Sequence, residues 1–413
     1  MTHELSIAGP TLDEVERARV TVSAVVDVTP MESSHYLSRV LGHPVFMKCE
    51  NLQRTGSYKI RGAYNRISSL SDDEKARGVV AASAGNHAQG VAFAARELGI
   101  PATIFMPIGV ALPKLQATRD YGADVVLRGH TVAEPLKAAA EHAERTGAVY
   151  IPPFDHPDVV AGQGTLGLEV LDQVPDLATV VVPIGGGGLI SGMASVLKRR
   201  AAELGREIRV VGVQATNAAA YPISLSAGVA TEISISPTIA DGIAVSKPGK
   251  LNFAIIKDTV DEVVTVDDDD IARAMLVLLE RAKLVVEPAG AVGVAAILTG
   301  KVRATGPTVV MLSGGNIDPL IMERVISHGL AASERYLKLR IPLPDRPGQL
   351  ARTSEIVAAQ NANVVEVLHT RHGTGLAISQ VELELHIETR GPEHAEQVLG
   401  ALRAEGYEPR VDF

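Results

Sequence analysis

Between residues 79 and 286 the chain alternates short β-branched runs with alanine- and leucine-rich stretches, and this alternation narrows its fold more than any other feature. Gly78-Val79-Val80-Ala81-Ala82, Ala102-Thr103-Ile104-Phe105-Met106, Ala123-Asp124-Val125-Val126-Leu127 and Thr179-Val180-Val181-Val182-Pro183 are of strand type. Helical text follows each, over 86–98, 113–121, 133–145 and 189–204. A strand that is apolar throughout needs cover on both faces, and a helix after each strand supplies the crossover that parallel pairing requires. The pattern therefore predicts an α/β architecture of parallel or mixed sheets flanked by helices. The 413 residues exceed one ordinary domain, and 46% hydrophobic content supplies material for a large core.

The pattern changes near residue 330. Residues 326–335, with Ser327-His328-Gly329 and Ala331-Ala332-Ser333, read as a connector. Beyond it come a strand (336–342), a helix (348–360), two strands (364–369 and 375–387), a helix (392–405) and a strand (408–413). That βαββαβ order describes a ferredoxin-like α+β module over 336–413.

Charge and cysteine content remove several classes of function. A net charge of −9 argues against a nucleic-acid or anionic-membrane surface. The single cysteine, Cys49, excludes an intramolecular disulfide and a cysteine-rich metal site. No basic-then-apolar signal pattern opens the chain, and it holds no run of about 20 apolar residues. A cytoplasmic location is the expectation.

Three strand-to-helix turns carry chemistry. Gly185 to Gly188 stand between a buried-strand pattern and the helix opening at Leu189. Glycines let backbone amides at a helix start approach an anion closely, so a phosphate cup is favoured over a plain tight turn. The run is neither a dinucleotide fingerprint nor a P-loop, since Ile190 breaks the first and no Gly-Lys-Ser/Thr follows. Lys59 lies at another helix start, among Tyr58, Ile60, Ala63 and Tyr64. The helix dipole disfavours its charge there, and a lysine of lowered pKa can form an imine and act as a base. Ser83-Ala84-Gly85-Asn86-His87 makes the third turn, which reads either as a carboxylate receptor or as an ordinary helix cap. Val309-Val310-Met311-Leu312-Ser313 ends a further buried strand on a hydroxyl.

Taken with Thr29-Pro30, Gly56-Ser57-Tyr58-Lys59-Ile60-Arg61-Gly62-Ala63, Glu287-Pro288-Ala289-Gly290-Ala291 and Ser313-Gly314-Gly315-Asn316, these segments resemble the fold-type-II pyridoxal-phosphate enzymes, specifically the serine/threonine dehydratases. The resemblance implies a two-domain catalytic region over 1–325, with a small subdomain of about 60–155 inserted in the large one. It implies that Lys59 carries pyridoxal 5'-phosphate and removes the Cα proton. Asn86 would bind the cofactor's phenolic oxygen, Gly185, Gly186, Gly187, Gly188 and Leu189 its phosphate, and Ser313 its pyridine nitrogen. Ser83, Gly85 and His87 would hold the substrate carboxylate, mainly through backbone amides. Tyr58 stands where the family usually has Phe.

The implied reaction is dehydration and deamination of L-threonine to 2-oxobutanoate and ammonia, with L-serine as a secondary substrate. The alternatives are serine dehydration, another β-elimination or β-replacement, and a silent amino-acid sensor that kept the fold. Serine racemases are similar but carry a serine acid/base where this chain has Ala84. Their divalent-cation site matches Gln214 and Ala220, which supply no carboxylate, so no metal is expected. Asp267 to Asp270 read as an acidic helix start.

The C-terminal module resembles the ACT domain through Asp345-Arg346-Pro347-Gly348-Gln349-Leu350 and Asn361-Ala362-Asn363. That likeness implies an amino-acid effector such as isoleucine or valine at Asp345, Arg346, Gly348, Leu350, Asn361 and Asn363, and pairing into a homodimer or homotetramer. Isoleucine formation and threonine breakdown are equally compatible with this reading. The plain alternative is an oligomerisation module without a ligand.

Overall fold

The computed structural model describes residues 9–131, 133–371 and 379–412. The chain divides into two compact units, Met1–Pro319 and Leu320–Phe413.

The first unit holds two sheets. Its larger sheet runs in the order Met31–Ser33, Val45–Cys49, Thr308–Leu312, Thr179–Pro183, Arg209–Ala215, Glu262–Val266. The first pair is antiparallel and every other pair parallel. The smaller sheet is wholly parallel, in the order Asp124–Leu127, Ala102–Met106, Val79–Ala82, Val149–Tyr150. The α/β expectation is thus met, and each sheet has its own core. Val180, Val182, Val210, Val309 and Met311 are fully buried in one, and Ile60, Ile67, Val91, Ile104 and Met106 in the other. The continuous apolar runs are what burial on both sheet faces demands.

Two helices that frame the site share one support. Helix Pro157–Gln173 packs against helix Lys59–Ser68 and helix Gly188–Glu203. The first approach is so close that a Cβ on Gly162 would meet Arg61 O at 2.6 Å. Asp267 caps helix Asp268–Val277, its Oδ1 accepting from Asp270 N at 2.8 Å, as the acidic run suggested.

In the second unit the antiparallel sheet Asn363–Thr370, Gln380–Glu388, Tyr336–Pro344, Arg410–Asp412 is covered by helices Gln349–Ala359 and Pro392–Ala404. The strand expected over 375–387 begins at Gln380 among the described residues, and 375–378 lie outside them. Residues 326–332, expected as connector, are the end of helix Pro319–Ala332, in which Val325 and Gly329 are buried. The Ser and Gly residues suggested a linker, but Met322, Ile326 and Leu330 keep a helical spacing of four. No helix among the described residues is long and apolar enough to cross a membrane.

Candidate active site

Four of the singled-out segments leave the carboxyl ends of parallel strands, where open α/β sheets place their ligands. Lys59 follows Val45–Cys49, Ser83 follows Val79–Ala82, Gly185 follows Thr179–Pro183 and Ser313 follows Thr308–Leu312. Leu312 pairs directly with Cys49, so two of these exits are neighbours. Three further links join them: Tyr58 N donates to Ser313 O (3.2 Å), Gly315 N donates to Gly56 O (2.9 Å), and Ser57 bridges Gly314.

Lys59 opens helix Lys59–Ser68, and its half-buried Nζ donates to Pro153 O at 3.0 Å. Burial brings its pKa down to about 8, against the opposing pull of Glu287. The ammonium is therefore easily discharged, as a lysine that forms imines and moves protons requires.

Asn86 opens helix Asn86–Glu97 and donates from Nδ2 to Glu287 Oε1 at 2.7 Å. Burial first, then Asp241, pushes Glu287 up to about 7. His87 is buried, and its Nε2 bonds Ile151 O at 2.9 Å. Burial and then Lys59 push its pKa down to about 3, so the imidazole is neutral and engaged with the backbone. The Ser83 amide donates to Phe105 O and the Gly85 amide to Ser83 Oγ. Among the described residues, the turn amides without an acceptor are those of Ala84, Asn86 and His87. Of the expected trio, His87 keeps an unengaged amide, whereas those of Ser83 and Gly85 are taken up within the protein.

The glycine run is fixed from its carbonyl side. Gly186 O accepts from Tyr221 OH (3.0 Å) and Asn252 Nδ2 (3.1 Å). The amides of Gly185 to Leu189 donate to nothing among the described residues. Gly187 caps helix Gly188–Glu203 at φ +100°, where a Cβ would also meet Asn252 Cβ at 2.9 Å. Ser313 is buried, and its hydroxyl donates to no partner among the described residues. Unused amides at a buried helix start, a readily discharged lysine and a neutral hydroxyl together fit pyridoxal phosphate: anion, aldehyde and ring nitrogen each find a suitable group. Gly187→Ala should weaken cofactor affinity roughly 10–100-fold, the worth of one charge-assisted hydrogen bond. Titration of the apo variant with pyridoxal phosphate measures this.

Gln214 is buried, donating to Ile184 O (3.3 Å) and accepting from Tyr221 N (2.8 Å), so it serves the glycine run. Ala220 opens the neighbouring helix Ala220–Ala227.

Residues 22–314 match the family described as pyridoxal-phosphate dependent enzyme. The chain belongs to this family. This pyridoxal-phosphate enzyme is 48% identical over 402 residues to the L-threonine ammonia-lyase of Thermotoga maritima, covering 97% of this chain and 99% of that one. The processed form of threonine deaminase isoform 2 from Solanum lycopersicum superposes with a TM-score of 0.71 at 38% identity, over 78% of this chain and 95% of that one. Maize serine racemase superposes at 0.73 with 35% identity, over 79% and 98%.

Glu287, Asn316, Tyr221 and Asn252 join the site without any role expected of them from the sequence. Glu287 and Asn316 stood in the quoted strings, but their convergence on Asn86 spans 201 and 230 residues, which no local spacing reveals.

In the second unit a cavity of about 310 Å³ is lined by Asp345, Arg346, Gly348 and Leu350, with His369 and Arg371. Asn361 and Asn363 do not line it. They lie beyond the far end of the 11-residue helix Gln349–Ala359, about 16 Å long at 1.5 Å per residue. Asn361 is left-handed (φ +57°), and Asn363 Nδ2 donates to Glu388 Oε2 at 3.3 Å.

Proposed function

We propose that this enzyme converts L-threonine to 2-oxobutanoate and ammonia, with L-serine as a secondary substrate giving pyruvate. The observation that carries the reading is the half-buried Lys59, its pKa lowered to about 8, in a site whose 83–87 turn has Ala84 where the similar serine racemases carry a serine acid/base. The 48% identity to an L-threonine ammonia-lyase over nearly the whole chain supports the same choice.

Pyridoxal phosphate, held by the glycine run, Asn86 and Ser313, supplies an electron sink for a carbanion at the substrate Cα. The amides of Ala84, Asn86 and His87 hold the substrate carboxylate and orient the Cα–H bond. Lys59 Nζ removes the Cα proton, the β-hydroxyl takes up a proton and leaves as water, and the released enamine tautomerises to an imine that one water hydrolyses to 2-oxobutanoate and ammonia. Ser313, a neutral hydroxyl, leaves the ring nitrogen less firmly protonated than a carboxylate would, which favours prompt elimination. Neutral His87 adds no competing acid.

Equal amounts of keto acid and ammonia from L-threonine, at higher kcat/KM than from L-serine, are the expected result. A strong preference for serine, or a β-replacement product, would contradict it. Because Ala84 moves no proton, D-serine should form at less than roughly one part in 100 of pyruvate, given that a general acid or base contributes 10²–10⁴ in rate. Chiral chromatography of the residual substrate checks this. The base form of Lys59 increases as pH rises through about 8, so kcat should climb on the acid side and level off above it.

An amino-acid effector such as isoleucine or valine at the Asp345–Leu350 cavity completes the proposal, together with a cytoplasmic homodimer or homotetramer. The cavity volume suits one small amino acid, and Arg346 and Asp345 suit its carboxylate and ammonium. Asp345→Ala should abolish the calorimetric signal for isoleucine or valine and any kinetic response to it. An unchanged response would remove that part.

A further inference from the structure

Asn316 ties together the segments that carry Lys59, Asn86 and Ser313. Its Nδ2 donates to Thr55 O (2.7 Å) and Asn86 Oδ1 (2.8 Å), with Gln89 Oε1 more distant at 3.4 Å. Asn86 in turn donates from Nδ2 to Glu287 Oε1 at 2.7 Å. These two bonds to Asn86 have opposite polarity, since one engages its oxygen and the other its nitrogen. A half-turn of the amide would set Asn86 Oδ1 against the Glu287 carboxylate and Asn86 Nδ2 against Asn316 Nδ2. Both attractive contacts would become repulsive.

An amide nitrogen carries two hydrogens, and Glu287 takes one of them. We propose that Asn316 and Glu287 are positioning residues that act through Asn86, locking its amide so that the remaining N–H, not the carbonyl, meets the ring oxygen of bound pyridoxal phosphate. The proposal rests on the assignment of Asn86 to that oxygen. The backbone is cut to fit the lock. Gly56 has φ +70°, and a Cβ there would come within 2.8 Å of Asn316 Cγ. A Cβ on Gly314 would come within 3.0 Å of both Asn86 Nδ2 and Glu287 Cδ.

The lock depends on Glu287 acting as an acceptor. The charged and titratable groups around it are Asp241, Lys114, Lys59 and Tyr58. Burial and Asp241 raise its pKa to about 7, while Lys114, the Asn86 bond and Lys59 oppose them. Once protonated, Glu287 can donate as well as accept, and the Asn86 amide is then free to turn. The lock is therefore tightest above about 7.

The test reads the visible absorption of the bound cofactor across pH in the holoenzyme, which needs no substrate. Asn316→Ala, Asn316→Asp and Glu287→Gln are each compared with Asn86→Ala, alone and in the Asn86→Ala background. Each single variant should move the spectral midpoint in the same direction as Asn86→Ala and weaken cofactor affinity about tenfold, as loss of one oriented hydrogen bond does. In the Asn86→Ala background Asn316→Ala should add no further shift, because the amide it orients is gone, and Glu287→Gln should retain only the part that its charge exerts directly on Lys59. Asn316→Asp keeps the size of the side chain and removes its donor, so it should shift the spectrum even if alanine disturbs the loop. Wild-type midpoints in Asn316→Asp and Glu287→Gln, or equal shifts with and without Asn86, would overturn the proposal. Threonine turnover does not enter this measurement, so failure of the proposed reaction would show separately.

Discussion

Lys59→Ala is expected to lower threonine turnover by at least about 10⁴-fold, because one substitution removes both the attachment point of the cofactor and the base at Cα. Lys59→Arg should fare no better, since a guanidinium stays protonated throughout the accessible pH range. Neither change should unfold the protein. Lys59 Nζ makes one hydrogen bond, to Pro153 O, and is half-buried rather than part of a core. Keto-acid release with excess pyridoxal phosphate, together with an unchanged unfolding temperature, checks both halves of this expectation. Turnover within tenfold of wild type would assign the proton transfer to another group.

The largest effect on stability is expected from Arg61, which lies two residues along the same helix and is fully buried. Its guanidinium bonds Glu50 at 2.8 and 2.9 Å and Glu169 at 2.6 and 3.1 Å. Lys48 joins from the other side, donating to Glu169 Oε2 and Gln173 Oε1 at 2.8 Å and to Thr29 O at 2.9 Å. Two cations and two anions thus neutralise one another where water is excluded. Such a cluster is weak evidence of net stabilisation, yet removing one member strands a charge. Arg61→Met would leave Glu50 without a cation and should cost about 3–5 kcal/mol. For a unit of this size that lowers the unfolding temperature by roughly 5–8 °C. Calorimetry at a matched scan rate measures it, and a shift below roughly 1–2 °C would show that the cluster relaxes or takes in water. Burial works to raise Glu169, but Arg61 and Lys48 outweigh it and hold the carboxyl below its ordinary value. A depressed carboxylate contributes stability above its unfolded pKa and loses it as pH falls through the folded one. The first unit should therefore be acid-labile.

The sheets were legible because burial on both faces writes itself into the chain as unbroken apolar runs, of which Val180-Val181-Val182 is the plainest. The glycine run and Lys59 were legible because each sits at a strand-to-helix turn, where residue type answers to backbone geometry. Partners supplied across the fold were not. Nothing near Asn86 announces Glu287 or Asn316, and nothing near Gly186 announces Tyr221 or Asn252. The His87 ring is held by Ile151 O, a backbone atom with no sequence signature, which leaves its amide as the group expected to meet substrate. In the second unit, the ACT resemblance grouped Asn361 and Asn363 with Asp345, and within one chain the intervening helix puts them at its other end.

Attachment of the cofactor at Lys59 is the claim on which the rest depends. Borohydride reduction of the holoenzyme, followed by proteolysis and mass spectrometry, tests this in one step. The expected result is a single pyridoxyl-modified peptide, carrying the group on Lys59. Modification at another lysine, with Lys59 recovered unmodified, would contradict it.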